Sequence, residues 1–296
     1  MNTVSTFLEL LATNNLLFLC FVGTVSLMVG SFLNVVIYRL PKMMQRDWDC
    51  ECRELLHDEL KHPTEQTTPI FNLMKPDSHC PSCQSPVRAW QNIPILSYVL
   101  LKGKCGECKA PISIRYPFVE LLTAVSSIVV AIKFGYSAQT LILIPLTWAF
   151  ISLIFIDIDQ MMLPDQITVP FLWLILLSST QPVFLSPEQT LFGAAAGYLS
   201  LWSVFWLFKI VTGKEGMGYG DFKLMAIVGA VVGVFKLPMV ILMSSLVGAF
   251  IGILMMSVKK MGRDSPMPFG PYIAIAGWLT MLWGEEIFNW YIQFLV

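Results

Sequence analysis

Residues 216–223 read Gly-Met-Gly-Tyr-Gly-Asp-Phe-Lys, a glycine-rich run with one carboxylate that separates two long apolar segments. Because glycine has no Cβ, this run lets other backbone come close to whatever Asp221 faces. A second acidic run, Phe-Ile-Asp-Ile-Asp-Gln-Met-Met-Leu-Pro-Asp, occupies residues 155–165, again where one apolar segment stops and another begins. Two carboxylates at the ends of different membrane helices can share one proton, which is the chemistry that an aspartyl protease requires.

The composition indicates a membrane protein. Of the 296 residues, 55% are hydrophobic and 13% are charged, whereas soluble chains are about 25% charged. The mean hydropathy is +0.67. The formal net charge of −1 argues neither for nor against a nucleic-acid partner, and we expect none. Residues 1–15 lack a basic start, so we expect no cleavable signal peptide.

Apolar runs of about 17–25 residues are long enough to cross a bilayer. They predict an all-α polytopic membrane protein with about eight transmembrane helices. The sixth run is short, and we expect it to be tilted or shielded by its neighbours. The runs lie near residues 15–37, 118–134, 138–156, 166–183, 190–211, 222–235, 237–258 and 272–294.

Basic residues predict the orientation of these helices. Of the 19 Lys and Arg, 11 lie between the first two spans, three flank the glycine run and three fill the last inner loop. Only Lys133 and Lys236 fall on the opposite side. Cytoplasmic loops carry the excess of Lys and Arg. We therefore expect both termini outside, and the first loop, Asp157 and Asp221 at the cytoplasmic face of the membrane.

Four cysteines in the first loop predict a metal centre. They form two Cys-x2-Cys pairs separated by 21 residues, and two such pairs complete a tetrahedral zinc shell. The alternatives are disulfides or a redox pair, but cytosolic thiols stay reduced, which favours metal. Four thiolates leave no open position, so the zinc would be structural. The predicted ligands are Cys80, Cys83, Cys105 and Cys108; Cys20 is expected to be an apolar filler, and Cys50 and Cys52 have no predicted role.

The aspartates leave alternatives open. A helix would point Asp157 and Asp159 about 200° apart, so only one of the two can face Asp221. Asp165 follows Leu163-Pro164 and is expected to be an N-cap that opens the fourth span. For Asp221, catalysis and capping of the sixth span are equally good interpretations.

Other catalytic classes are excluded by missing residues. All three histidines lie in the first loop (His57, His62 and His79), so a serine protease with a histidine base inside the membrane is not expected. The chain also has no His-Glu-x-x-His helix, no P-loop and no Gly-x-Gly-x-x-Gly fingerprint.

The first span ends in Gly-Ser-Phe-Leu-Asn-Val-Val-Ile-Tyr-Arg-Leu-Pro, residues 30–41. Small residues there favour close helix packing, and a buried amide such as Asn34 needs hydrogen-bond partners. The following polar segment predicts a solvated helix over Arg46–Leu60.

These features, together with Arg-Tyr-Pro-Phe-Val-Glu at residues 115–120, resemble the type IV prepilin peptidases. These are bifunctional prepilin leader peptidases and N-methyltransferases, A24-type intramembrane aspartyl proteases of type IV pili and type II secretion. The resemblance covers nearly the whole chain. It implies a first transmembrane helix at residues 1–37 and a cytoplasmic zinc-binding, methyltransferase-associated domain at 38–117. It also implies a membrane aspartyl peptidase domain at 118–296.

The resemblance further implies that Asp157, rather than Asp159, forms the catalytic pair with Asp221. The implied substrates are prepilins and pseudopilins, cut after the glycine that ends a short basic leader. The new amino terminus, usually phenylalanine, would then be methylated with S-adenosylmethionine, with Asn34, Arg39 and Glu120 near that site. The residues that bind S-adenosylmethionine and the oligomeric state are not identified by the sequence.

Two rival interpretations remain. Paired carboxylates in a membrane could couple proton flux in a secondary transporter, although they lie at helix ends and no inverted repeat is visible. The other interpretation is a catalytically silent membrane scaffold whose zinc loop recruits a cytosolic partner.

Overall fold

The computed structural model describes residues 3–56, 71–181, 183–214, 216–259 and 267–295. Within these ranges the chain is helical, with isolated β-bridges as its only extended pairing. It divides into two compact units, one of residues 16–128 and one of residues 1–15 with 129–296. The α-helices are α1 (Thr3–Thr13), α2 (Asn15–Leu55), α3 (Leu96–Leu100), α4 (Arg115–Phe134), α5 (Ala138–Gln160), α6 (Asp165–Ser178), α7 (Pro187–Thr212), α8 (Tyr219–Val232), α9 (Leu237–Lys259) and α10 (Gly270–Leu295).

The expected all-α membrane architecture is confirmed, and each of the eight predicted spans overlaps a described helix. By length and composition, five helical segments among the described residues could cross a membrane, and α6 is a shorter apolar helix. With 14 residues each, α6 and α8 extend only about 21 Å. The five segments are Asn15–Leu55, Arg115–Phe134, Ala138–Gln160, Pro187–Thr212 and Val234–Met255.

Helix α2, which contains the first predicted span, is longer than the apolar run. It passes Pro41 and continues to Leu55. The predicted span, which was expected to end at residue 37, is therefore continuous with the start of the predicted solvated helix. Of the predicted helix over Arg46–Leu60, the part from residue 57 onward lies outside the described residues.

In the unit of residues 16–128, α2 packs tightly on α4. A Cβ on Gly30 would lie 2.8 Å from Cα of Glu120, so the two backbones nearly touch there. Nδ2 of Asn34 donates to the carbonyl oxygens of Gly30 and Tyr116, both at 3.2 Å. The partners expected for this amide are therefore present, and one of them belongs to α4.

Arg39 is buried in the same unit and anchors the segment that follows residue 70. It is 8% exposed, and its guanidinium donates to the carbonyl oxygens of Asn72 at 3.0 Å and Pro76 at 2.7 Å. A buried charged donor needs such acceptors, and the segment preceding the cysteines is held against α2 by them.

In the other unit, α8 is the central helix. Apart from Lys223, every residue from Asp221 to Val232 is buried, and α6, α7 and α10 all pack against it. This agrees with the expectation that the short sixth span is shielded by its neighbours.

Glycines allow α7 to approach α8. A Cβ on Gly193 would lie 2.1 Å from the carbonyl oxygen of Gly229, and one on Gly197 would lie 2.4 Å from that of Met225. Close backbone approach through small residues is the usual way in which membrane helices gain packing energy.

Replacing Gly193 with Ala should therefore force α7 away from α8. Overpacking of this kind destabilises by about 1–3 kcal/mol, and thermal unfolding of the purified protein in detergent should show a lower midpoint. Gly252→Ala is the matched control, since its added methyl would meet only the end of the flexible Met267 side chain. An unchanged midpoint for Gly193→Ala would contradict the close α7–α8 contact.

Candidate active site and candidate metal centre

Asp157 and Asp221 lie close together in the unit of residues 129–296. The two residues are 5% and 6% exposed, and the charge of Asp157 acts electrostatically on Asp221. Asp159, two residues further along α5, is exposed. The structure therefore brings Asp157, rather than Asp159, to Asp221.

The end of α5 positions Asp157. Met161 is left-handed (φ 54°, ψ 41°) and its N–H donates to the carbonyl oxygen of Asp157 at 2.9 Å, which ends the helix. The Asp157 side chain turns to the start of α10, where the N–H of Gly270 donates to its Oδ2 at 3.0 Å. Asp157 thus accepts a hydrogen bond from backbone 113 residues away.

Asp221 occupies the first turn of α8. The N–H of Gly218, the N-cap residue, donates to Oδ2 of Asp221 at 3.1 Å. This is the arrangement in which the third helical residue satisfies the N-cap N–H. Both interpretations of Asp221 are therefore compatible, since it caps its helix and also faces a second carboxylate.

The capping role expected for Asp165 is wrong. Pro164 is the N-cap of α6 and Asp165 is its first residue. Both carboxylate oxygens of Asp165 accept from Nζ of Lys223, at 2.6 and 2.7 Å. A first-turn carboxylate is favoured by the helix dipole, and its ion pair joins the start of α6 to α8.

Aromatic rings hold the start of α8 on α7. Phe222, fully buried beside Asp221, makes edge-on contacts with Phe205 at 5.6 Å and with Tyr198 at 5.8 Å between ring centroids. Tyr219 contacts the Phe205 ring at 5.4 Å. These contacts fix the helix turn that carries Asp221.

The residues that touch the aspartates from elsewhere in the chain were not identified by the sequence pattern. Gly270 donates to Asp157, and Leu163 lies against both Gly220 and Gly270. Tyr272 is within electrostatic reach of Asp157. The sequence feature that could have indicated Gly270 is the pair of prolines around it, at the start of the last apolar run.

The four predicted metal ligands come together in the unit of residues 16–128. Their Sγ atoms all lie within 4.8 Å of one another, and Sγ of Cys80 lies 3.8 Å from that of Cys108. A tetrahedral zinc with Zn–S bonds of about 2.3 Å has sulfur–sulfur edges of about 3.8 Å. The residues present therefore fit a zinc ion, and in the described chain all seven cysteines are free of disulfides.

The two Cys-x2-Cys segments have the same backbone fold. In the first, the N–H of Cys80 donates to Ser85 O and the N–H of Gln84 donates to Cys80 O. In the second, Cys105 donates to Ala110 O and Lys109 to Cys105 O. Both Gln84 and Lys109 have positive φ, at 59° and 62°. The centre is thus built from two equivalent knuckles.

Proton affinity differs among the thiols. Hydrogen bonding from Ser85 lowers the pKa of Cys83 to about 6, and the backbone N–H groups of Cys108 and Glu107 lower the pKa of Cys105. Although the N–H of Ala110 acts in the opposite direction, burial and the neighbouring thiols raise the pKa of Cys108 to about 11. Four adjacent thiolates repel one another, and a bound divalent cation would remove that penalty.

Purified protein should contain one zinc per chain, and Cys80→Ser and Cys105→Ser should each lose it, because each removes a ligand of one knuckle. Elemental analysis by mass spectrometry measures the metal directly. Cys50→Ser is the matched control, since Cys50 is exposed on α2 and outside the cluster. Zinc retained at full stoichiometry by either knuckle variant would contradict the four-cysteine site.

Fold and site together define a class: a helical membrane protein with a buried pair of aspartates and a four-cysteine metal centre. Residues 24–134 match the family described as Bacterial Peptidase A24 N-terminal domain, and residues 144–253 match the Type IV leader peptidase family.

Curated relatives match nearly the whole chain. The prepilin leader peptidase/N-methyltransferase of Stutzerimonas stutzeri is 52% identical over 286 residues, which are 97% of this chain and 98% of the relative. The protein of the same name from Pseudomonas aeruginosa is 51% identical over 97% of this chain and 98% of its own length. The protein of the same name from Aeromonas hydrophila is 52% identical over 90% of this chain and 91% of its own length. No solved structure matches. The chain belongs to the prepilin leader peptidase/N-methyltransferase family.

Proposed function

We propose that this protein cleaves the basic leader from prepilins and pseudopilins after the leader's terminal glycine, and then methylates the new amino terminus with S-adenosylmethionine. The observation that carries the proposal is the relation, over 97% of the chain, to proteins named for both activities. The buried carboxylate pair supplies a chemical basis for the first activity.

For cleavage, a water held between Asp157 and Asp221 attacks the carbonyl carbon of the scissile bond. The ionised carboxylate takes a proton from the water, while the protonated one stabilises the developing oxyanion and helps to expel the amine. Each carboxylate accepts a backbone N–H through Oδ2. Among the described residues neither Oδ1 has a hydrogen-bond partner, so these two oxygens are available to the water. The pair titrates jointly, and no individual protonation is assigned.

Placement at the cytoplasmic face of the bacterial inner membrane would suit such a substrate. Its apolar stem would lie in the bilayer and its charged leader in the cytosol, with the scissile bond at the depth of the aspartates. Seventeen of the 19 Lys and Arg support this orientation. The two exceptions, Lys133 and Lys236, are ion-paired with Glu286 and Glu285.

For methylation, we propose the domain roles that the family resemblance implies. Residues 38–117 form the zinc-binding, methyltransferase-associated part, and residues 118–296 form the peptidase. Zinc bound by the two knuckles would hold the loop together without an open coordination position. Nothing in the comparisons supports the proton-coupled transporter.

Asp157→Asn and Asp221→Asn should each lower the cleavage rate by about 10²- to 10⁴-fold or more, because each removes one member of the acid–base pair. The assay uses purified protein in detergent and a synthetic prepilin, with products weighed by mass spectrometry. Asp159→Asn is the matched control on the same helix and should cleave normally. Cleavage at the wild-type rate by either of the first two variants would reject the catalytic pair.

Cys80→Ser and Cys105→Ser should lose methylation before they lose cleavage, since the zinc loop belongs to the methyltransferase-associated part. With S-adenosylmethionine present, mass spectrometry separates the cleaved from the cleaved and methylated product in one sample. Parallel loss of both activities would instead show that the loop supports the whole protein.

A further inference from the structure

The start of α10 contributes to the candidate active site, although no acidic residue lies there. Residues 268–271 read Pro-Phe-Gly-Pro, and the buried N–H of Gly270 donates to Oδ2 of Asp157 at 3.0 Å. We propose that Gly270 is a positioning residue for peptide cleavage, whose backbone holds the Asp157 carboxylate at its working distance from Asp221. This inference rests on the proposed peptidase function.

The carboxylate itself requires glycine at this position. A Cβ on residue 270 would lie 2.7 Å from Oδ2 of Asp157 and 3.2 Å from both terminal carbons of Leu163. Contacts below 3 Å are repulsive, so any larger residue displaces the carboxylate or the turn. The constraint therefore comes from contact with the catalytic group, in addition to the requirements of helix packing.

The two carboxylates are held in equivalent ways. Gly218 donates to Asp221 from the start of α8, as Gly270 donates to Asp157 from the start of α10. Each donor is a backbone N–H at the positive end of a helix, where a negative charge is stabilised. Each bond occupies one oxygen of its carboxylate and leaves the other oxygen for the catalytic water.

Leu163 sets the spacing between these two helix starts. A Cβ added to Gly220 would lie 2.6 Å from the Cβ of Leu163, and the terminal carbons of Leu163 pack against Gly270. The side chain thus separates the glycine run before α8 from the turn before α10. Because Leu163 contacts the glycine run at Gly220 and the start of α10 at Gly270, a change at residue 270 alters the separation of the carboxylates.

Gly270→Ala should lower kcat for cleavage by about 10- to 100-fold with little change in KM, because misplacement of a reacting group by about 1 Å can reduce the rate 100-fold. The substrate is a synthetic prepilin, and the enzyme is the full chain in detergent. Thermal unfolding, and methylation of pilin that has already lost its leader, report whether the variant is folded. Gly284→Ala, in the same helix but beside Lys236 and Thr280, is the matched control and should keep wild-type kcat.

A second variant separates contact with the carboxylate from contact with the leucine. Gly270→Ala combined with Leu163→Ala removes the apolar conflict and leaves the conflict with Oδ2, so kcat should stay well below that of Leu163→Ala alone. This comparison also applies if Gly270→Ala by itself does not fold. Recovery of the Leu163→Ala value, or a wild-type kcat for Gly270→Ala, would overturn the positioning role. Absence of cleavage by the wild-type protein would reject the proposed function instead.

Discussion

Two carboxylates buried beside each other are the constraint on which the rest of the larger unit depends. Burial and mutual repulsion both disfavour their charged forms, so they need donors that cannot move away. Backbone N–H groups at the starts of α8 and α10 provide them. Since these donors are part of the backbone, the distance between the carboxylates is set by the relative positions of α5, α8 and α10. The packing of the whole unit is therefore part of the site.

The packing follows from that requirement. The short helix α8 is surrounded by longer ones, and glycines at the contacts bring α7 against it at van der Waals distance. Glycine also occurs where the backbone must come near a carboxylate or Leu163, at residues 220 and 270. In this unit the absence of a Cβ thus serves two purposes, the approach of helices and the approach of backbone to the aspartates.

The cysteine centre is organised by a different rule. Large apolar side chains of its loop, such as Trp90, Leu96 and Val99, are exposed. Two knuckles with the same hydrogen-bond pattern place four thiols within 4.8 Å. Four thiolates at that spacing are stable only with a cation to balance them. The metal would therefore provide cohesion that a hydrophobic core provides elsewhere, while Arg39 and Glu120 connect neighbouring segments to α2 and α4 through backbone groups.

Local features of the protein were predictable from its amino-acid pattern. Apolar run length predicted the helices and the shielded sixth span, and cysteine spacing predicted the metal centre. The acidic and glycine-rich runs predicted a carboxylate pair with Asp221, but spacing left Asp157 and Asp159 open and the family resemblance implied Asp157. The pattern did not determine that α2 continues to Leu55 or that Asp165 pairs with Lys223, because both depend on partners or on a boundary that composition does not mark. The hydrogen bond from Gly270 to Asp157 became visible only in the folded chain. The reason is that a hydrogen bond between a side chain and backbone 113 residues away leaves no periodicity in the sequence.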